Sequence, residues 1–274
     1  MSGFIPYTPQ GPDEIHTPDK LKVLGNVKTA FEANWKLWES DGEKQRRNGD
    51  DMMDCVSFSA ANVIENILNY YRYIFFKGIA NDEQTTIFKI ASDLGLYDNG
   101  KANVSDRYIA KISNTTRNGN DQKTVWDAIR HYGVVSENDW PFVETWDEYY
   151  QEVPDWLIGY GKHFADQIDI NYEFVESINY IDALAYSPLQ TCLYAWNGQN
   201  QTGDYVRVDI PFDHATVVDG YESLLRWNIF DSYEPFNKSC TWDFNFGWGV
   251  LPTLHLKKKS FWTRVLEYLK EIMK

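Results

Sequence analysis

The stretch "DDMMDCVSFSAANVIENIL", residues 50–68, decides the fold. An acidic, methionine-bearing loop ends at Asp54, and an apolar segment begins at Cys55. From there Phe58, Ala61, Ile64, Leu68, Tyr71 and Phe75 recur every three or four residues, while Val63, Ile67, Tyr70 and Ile74 form a second stripe. Apolar positions on so much of a helix circumference predict a central, buried helix. Asp54 is a good N-cap residue, which puts Cys55 at the first helical position, where unpaired N–H groups and the helix dipole favour a thiolate. Two effects oppose this: free cysteine is among the most buried residue types and usually inert, and a carboxylate beside the sulfur raises its pKa. Cys55 is therefore either a buried filler or a nucleophile, and the rest of the chain has to decide.

Before this stretch, residues 1–27 carry Pro6, Pro9, Pro12 and Pro18 among polar residues and read as an extended arm. "VKTAFEANWKLW", 27–38, has helical spacing, and the charged run up to residue 51 reads as an exposed loop. After the central helix, 93–123 is rich in Gly, Asn and Asp and is expected to be mostly loop. Val125, Ile129 and Tyr132 mark a short helix stopped by Gly133. From residue 188 the pattern turns to strands at 188–196, 214–222 and 226–233, with another expected at 241–249. Helices first and strands second make an α+β order. The tail, 257–274, reads as an amphipathic helix that docks on its own domain or on a partner.

Composition limits the function. The 274 residues are 43% hydrophobic, enough for one large core or two lobes around a cleft. A formal charge of -14 argues against nucleic acid or an anionic membrane as partner. There is no basic leader followed by an apolar run and no span of about 20 apolar residues, so neither a signal peptide nor a membrane span is expected. Cys55, Cys192 and Cys240 are widely spaced and odd in number, which fits a reducing cytoplasm and neither a disulfide framework nor a zinc site. No metal or organic cofactor is implied.

A thiol nucleophile needs a base, and the base needs a third group to fix its tautomer. "PFDHATVVDGYE" and "NIFDSYEPF" supply both. His214 starts one expected strand and Asp231 lies near the end of the next, so adjacent antiparallel strands can bring them side by side. Cys55, His214 and Asp231 thus fill three roles.

These motifs resemble the papain-like cysteine peptidases, including members encoded by bacteriophages. "DCVSFSAANVIENI" is similar to the family's Cys-Trp-Ala-Phe-Ser-Ala helix, with Val56 for the Trp and Phe58, Ser59 and Ala60 matching. "HATVVDGYE" resembles the strand that carries the catalytic His, and "FDSYEP" the Asn-Ser-Trp-Gly segment, with Asp231 for the Asn and Tyr233 for the Trp that shields the His–Asn bond. "SPLQTCLYAW" and "AIRHYGVVSENDWPF" occupy the places of two further family segments, and the likeness runs from about 45 to 250 in family order. The resemblance implies a two-lobe fold, with an N-terminal helical lobe (about 45–145) around the Cys-bearing helix and a C-terminal antiparallel sheet or barrel lobe (about 146–256). It also implies that Gly119 and Asn120 line the cleft and offer backbone hydrogen bonds to a substrate. The family's oxyanion Gln stands six residues before the nucleophile, where this chain has Gly49; Asn48 or Gln45 are the nearest amides for that role.

The expected activity is peptide-bond hydrolysis through an acyl-enzyme on Cys55, acting on a peptide or protein. Two alternatives stand beside it. One is a catalytically idle structural or binding component, for example of a virion, using the arm or the tail as contacts. The other is a cell-wall amidase, although the Cys-to-His separation is long for those enzymes.

Overall fold

A computed structural model describes residues 3–11, 14–16, 34–47, 49–196, 198–222 and 226–258. Of the expected helix at 27–38, only residues from 34 on are described, and Trp35–Trp38 form one 3-10 turn. The amphipathic tail lies outside the described residues from position 259 onward.

A small hairpin, β1 (Arg46–Arg47) and β2 (Asp50–Asp51), leads into α1 (Cys55–Phe76). Its turn places Gly49 at φ +93°, a left-handed conformation that glycine adopts without steric cost. Then come α2 (Asp82–Asp93), a second hairpin of β3 (Tyr97–Asp98) and β4 (Lys101–Ala102), and α3 (Asp106–Ile112). The helices α4 (Gln122–Tyr132), α5 (Trp146–Tyr149) and α6 (Asp155–Gln167) follow. Strand β5 (Ile168–Val175), the short helix α7 (Tyr180–Leu184) and β6 (Leu189–Leu193) begin the sheet region. It is completed by β7 (His214–Glu222), β8 (Arg226–Phe230), β9 (Asn237–Thr241) and β10 (Gly249–Leu256). The six strands form one antiparallel sheet in the order β5-β10-β6-β7-β8-β9. The expected α+β architecture is observed.

The central helix is as buried as its two stripes predict: 17 of the 22 residues of α1 are buried, including polar Ser57, Asn62, Glu65 and Asn66. It contacts α2, α3 and α4 as well as β6 and β7, which ties the helices to the sheet. Burying Phe58, Ile64 and Leu68 completely contributes ~1.5–3 kcal/mol apiece. Helix α4 ends as expected: Gly133 sits at φ +72°, and a Cβ there would lie 1.9 Å from the Gly161 carbonyl oxygen.

One expectation is sharpened and one is corrected. The Gly/Asn/Asp-rich stretch 93–123 is mostly turn and loop, with the short β3–β4 hairpin and α3 set within it. Helix α3 starts at an Ser105 cap whose hydroxyl accepts from the Tyr108 N–H, and it buries Tyr108, Ile109 and Ala110. The strand expected at 241–249 is instead a connection between β9 and β10, which take up the pairing on either side of it. Its aromatics serve packing and not a ladder: Trp242 stacks on Trp227 at 4.4 Å, while Phe244 and Phe246 are buried.

The described part of the arm lies along the body of the protein. The Phe174 N–H donates to the Glu14 carbonyl and the His16 N–H to the Phe174 carbonyl, both at 2.7 Å, which extends the sheet beyond β5.

Candidate active site

Cys55 is the first residue of α1, with Asp54 at the N-cap position. The Asp54 carboxylate makes no capping bond; it turns instead to the Tyr149 hydroxyl, which also lies 2.8 Å from Asp106 Oδ2. The first turn is held from the sheet side. Buried Gln190 of β6 donates from Nε2 to the Val56 carbonyl and to Ser59 Oγ, both at 2.8 Å, and its Oε1 accepts from Trp126 Nε1 at 2.7 Å. Ser59 Oγ in turn donates to the Cys55 carbonyl at 2.7 Å. The start of β7 faces the sulfur, and the Ala215 backbone there favours its thiolate.

His214 opens β7, and the loop after β8 brings Asp231 to it. The register Val217↔Phe230, continued by one residue, sets position 231 level with Thr216, so His214 and Asp231 meet on a diagonal. His214 Nε2 lies 2.6 Å from Asp231 Oδ1, with both side chains fully buried. With Nε2 engaged, Nδ1 is left buried and, among the described residues, without a hydrogen-bond partner, the arrangement of a base that still has a lone pair to use. Tyr233 stacks on the imidazole at 4.9 Å and 25°, in the place where the resemblance puts a shielding aromatic.

Asp231 receives more than the histidine. The Ser232 N–H donates to Oδ1 at 2.8 Å, while Oδ2 accepts from Trp196 Nε1 at 2.6 Å and from Lys238 Nζ at 2.8 Å. Burial alone raises the Asp231 carboxyl, but the neighbouring His214 and Lys238 outweigh it and hold the group below its usual value. Lys238 and Trp196 are not apparent as site residues from the motifs. A signal for Lys238 exists: in β9 the buried positions alternate, so Lys238 shares the inward face with Cys240.

Of the two amides considered for the oxyanion, Asn48 lies outside the described residues. Gln45 is fully buried at the site, and its side chain is committed. Nε2 donates to Asp51 Oδ1 at 2.8 Å and to the Tyr233 hydroxyl at 2.9 Å, and Oε1 accepts from Ser232 Oγ at 2.6 Å. Both amide protons are used in knitting the loop after β8 to the β1–β2 hairpin, so in this arrangement Gln45 is a brace and offers no free donor.

Gly119 and Asn120 form an edge that is already occupied. The Asn120 N–H donates to the Gly3 carbonyl at 2.9 Å and the Ile5 N–H to the Asn120 carbonyl at 2.8 Å, a parallel pairing with the chain's own arm. The approach is close enough to require glycine twice. A Cβ on Gly119 would lie 1.7 Å from the Gly3 oxygen, and one on Gly3 would lie 2.1 Å from the Met53 oxygen. The arm therefore runs between the Gly119 edge and the residues just before Cys55, and the Cys55 side chain is fully buried.

Burial pushes the Cys55 thiol well up, with Asp54, Asp51 and Asp231 adding to the rise and the Ala215 backbone opposing it. The Asp54 contribution is limited by protonation. One phenol hydrogen cannot satisfy both carboxylates around the Tyr149 oxygen, so one of Asp54 and Asp106 must carry a proton. Burial raises both, Asp106 to about 7. Asp106 also belongs to a carboxyl group cluster with Glu43 and Glu137, whose oxygens all lie within 4.8 Å of one another, close enough to share a cation. Burial pushes Glu43 up and Glu137 up to about 10, so protons can hold the three together, and the cluster is assigned no step in the chemistry below.

No protein-family model matches the chain, and no curated protein matches it in sequence. In three dimensions it is similar to digestive procathepsin L 3 of the Tenebrio molitor larval midgut, at 14% identity and a TM-score of 0.51, over 82% of this chain and 72% of that one. It is also similar to xylellain, a cysteine protease from Xylella fastidiosa, at 14% identity and a TM-score of 0.53, over 94% of this chain and 96% of that one. At this identity the likeness is one of architecture: the chain has the papain-like cysteine-protease fold.

Proposed function

We propose that this chain is a thiol peptidase that uses Cys55 as nucleophile, His214 as base and then acid, and Asp231 as orienter. The observation that carries the reading is the imidazole's asymmetry. Nε2 is locked to Asp231 at 2.6 Å and Nδ1 has no partner among the described residues, on the residue just before Ala215, whose backbone favours the Cys55 thiolate. Nδ1 takes the thiol proton, and the thiolate attacks the substrate carbonyl carbon to give a tetrahedral oxyanion. The uncapped N-terminus of α1, with the Cys55 N–H, lies where that charge develops. Collapse expels the amine, which takes the proton from His214, and leaves a thioester. Water, deprotonated by His214, then releases the acid and restores the thiol. The -14 charge favours encounter with neutral or basic peptides.

Hydrolysis of a denatured protein or a peptide library tests this. Wild-type activity that is lost in both Cys55→Ala and His214→Ala supports the reading, and activity retained in Cys55→Ala refutes it. One set of observations favours a second reading, an idle papain-fold binding component: Cys55 is fully buried with its thiol raised, and its own arm fills the Gly119 edge. Under that reading the arm stays in place in solution and Cys55 resists alkylation.

A further inference from the structure

We propose that Lys238 is a positioning residue that completes the His214–Asp231 pair, cancelling the charge that an aspartate brings to a position where an amide would bring none. The inference rests on the peptidase reading for its consequence in catalysis, and on geometry for its existence.

Lys238 projects from β9 into a buried site, with its side chain 1% exposed. Its Nζ meets three acceptors: Asp231 Oδ2 at 2.8 Å, the Pro235 carbonyl at 2.6 Å and the Tyr233 carbonyl. An ammonium has three donors and no acceptor, so three oxygens match the charged form, whereas a neutral amine would leave one of them unpaired. Burial lowers the lysine's proton affinity and the Asp231 carboxylate raises it. The carboxylate then divides its work: Oδ1 serves His214 and the Ser232 N–H, Oδ2 serves Lys238 and the Trp196 indole.

The electrostatic result is that the imidazole faces a carboxylate–ammonium pair of zero net charge, with the directional acceptor retained. A lone buried carboxylate would bind the imidazolium too firmly, making His214 a poor acid toward the leaving amine. The same ammonium holds the Tyr233 and Pro235 carbonyls, so it also fixes the loop that carries the stacked Tyr233 ring. The other titratable groups around His214 and Asp231 are the stacked Tyr233 phenol with Asp51 behind it, Cys55 on α1 with Asp54 beside the sulfur, Tyr205 near Asp231, and Cys240 beside Lys238 on β9. Among these and Asp231, Lys238 is the cation bonded to the imidazole's partner.

The test reads the His214 ring titration by NMR in the Cys55→Ala background of the full chain, identified among five histidines by its loss in His214→Ala. This readout needs no activity. Lys238→Met is expected to move the midpoint up by ~2 pH units, roughly a hundredfold gain in proton affinity, the size expected for one unit charge several ångströms away at an effective dielectric of ~20. Lys238→Arg keeps the midpoint, and Asp231→Asn with Lys238→Met brings it back to within a few tenths of a unit. Should Lys238→Met not fold, Lys238→Gln, which is uncharged but keeps an amide donor for the loop carbonyls, carries the same test with the same sign. A midpoint unmoved by the uncharged substitution overturns the proposal and leaves Lys238 a structural peg. In the Cys55-containing chain, both pH limbs of iodoacetamide alkylation should rise with Lys238→Met; a flat wild-type profile there refutes the peptidase reading without touching the NMR result.

Discussion

Replacing Gln190 by Met tests whether the sheet holds the nucleophile's helix through a single buried amide. Methionine has nearly the same length and no hydrogen-bonding amide, so the change removes three bonds with little change in volume. Their loss is unequal. Trp126 Nε1 loses its acceptor and becomes a buried, unsatisfied donor, at a cost of ~1–3 kcal/mol. The Val56 carbonyl keeps its helical environment, and Ser59 Oγ keeps its bond to the Cys55 carbonyl, so each forfeits only the ~1 kcal/mol of a typical net hydrogen bond. The sum is ~3–5 kcal/mol, and with an m value of ~3 kcal/mol/M the urea midpoint should fall by ~1–1.7 M. In the Trp126→Phe background the same substitution should cost ~1–3 kcal/mol less, because the indole donor is already gone. A midpoint shift below ~0.3 M, or full additivity of the two substitutions, would refute the reasoning.

Three further outcomes follow from the structure. Deleting residues 1–10 removes the strand paired with Asn120, so Cys55 alkylation and peptide hydrolysis should both rise at least tenfold if the arm competes with substrate; an unchanged alkylation rate would show that the arm does not guard the sulfur. Burial pushes Glu65 from the ordinary glutamate range up to about 8, so its protonated form stabilises the fold at low pH, and that contribution is lost as pH rises toward 8. Urea midpoints should therefore fall between pH 5 and 8, and less steeply in Glu65→Gln, which keeps an acceptor for the Val104 N–H; equal slopes would contradict the assignment. Gly133→Ala forces a Cβ onto the Gly161 carbonyl at positive φ and should destabilise by at least ~2 kcal/mol, read as a lowered Tm; a neutral result would mean that the α4–α6 contact relaxes freely.

The parts of the fold that were legible are those with a repeated physical signal. The two stripes from Phe58 to Phe75 predict a helix buried nearly all round, and α1 is that helix. The strand patterns expected from 188, 214 and 226 register as neighbours in one antiparallel sheet, which is why residues 17 apart in sequence, His214 and Asp231, meet. Short elements escaped because a single turn of periodicity carries little signal: α3 spans seven residues, and its clearest mark is the Ser105 cap, not an apolar stripe. At 241–249 aromatic richness imitated a strand, although Trp242, Phe244 and Phe246 pack as a folded-over connection.

In the candidate site, the groups with motif signatures were legible and their partners were not. Lys238 and Trp196 approach Asp231 from seven and 35 residues away, and Gln45 reaches Ser232 across 187. Such buried polar contacts are chosen by tertiary geometry, which spacing does not encode. Gln45 shows the limit well: an amide at a suggestive distance before Cys55 is spent bracing the loop that carries Tyr233.

The central claim is that Cys55 and His214 work as one unit, and the pH dependence of Cys55 alkylation by iodoacetamide, in the arm-deleted chain with and without His214→Ala, tests it most directly. The account predicts a reactive plateau extending well below pH 7 that disappears with the imidazole, because an imidazolium partner and the α1 N-terminus stabilise the thiolate against burial. A single titration at or above about pH 8.5, identical in both proteins, would contradict it and leave the papain-like fold without its chemistry.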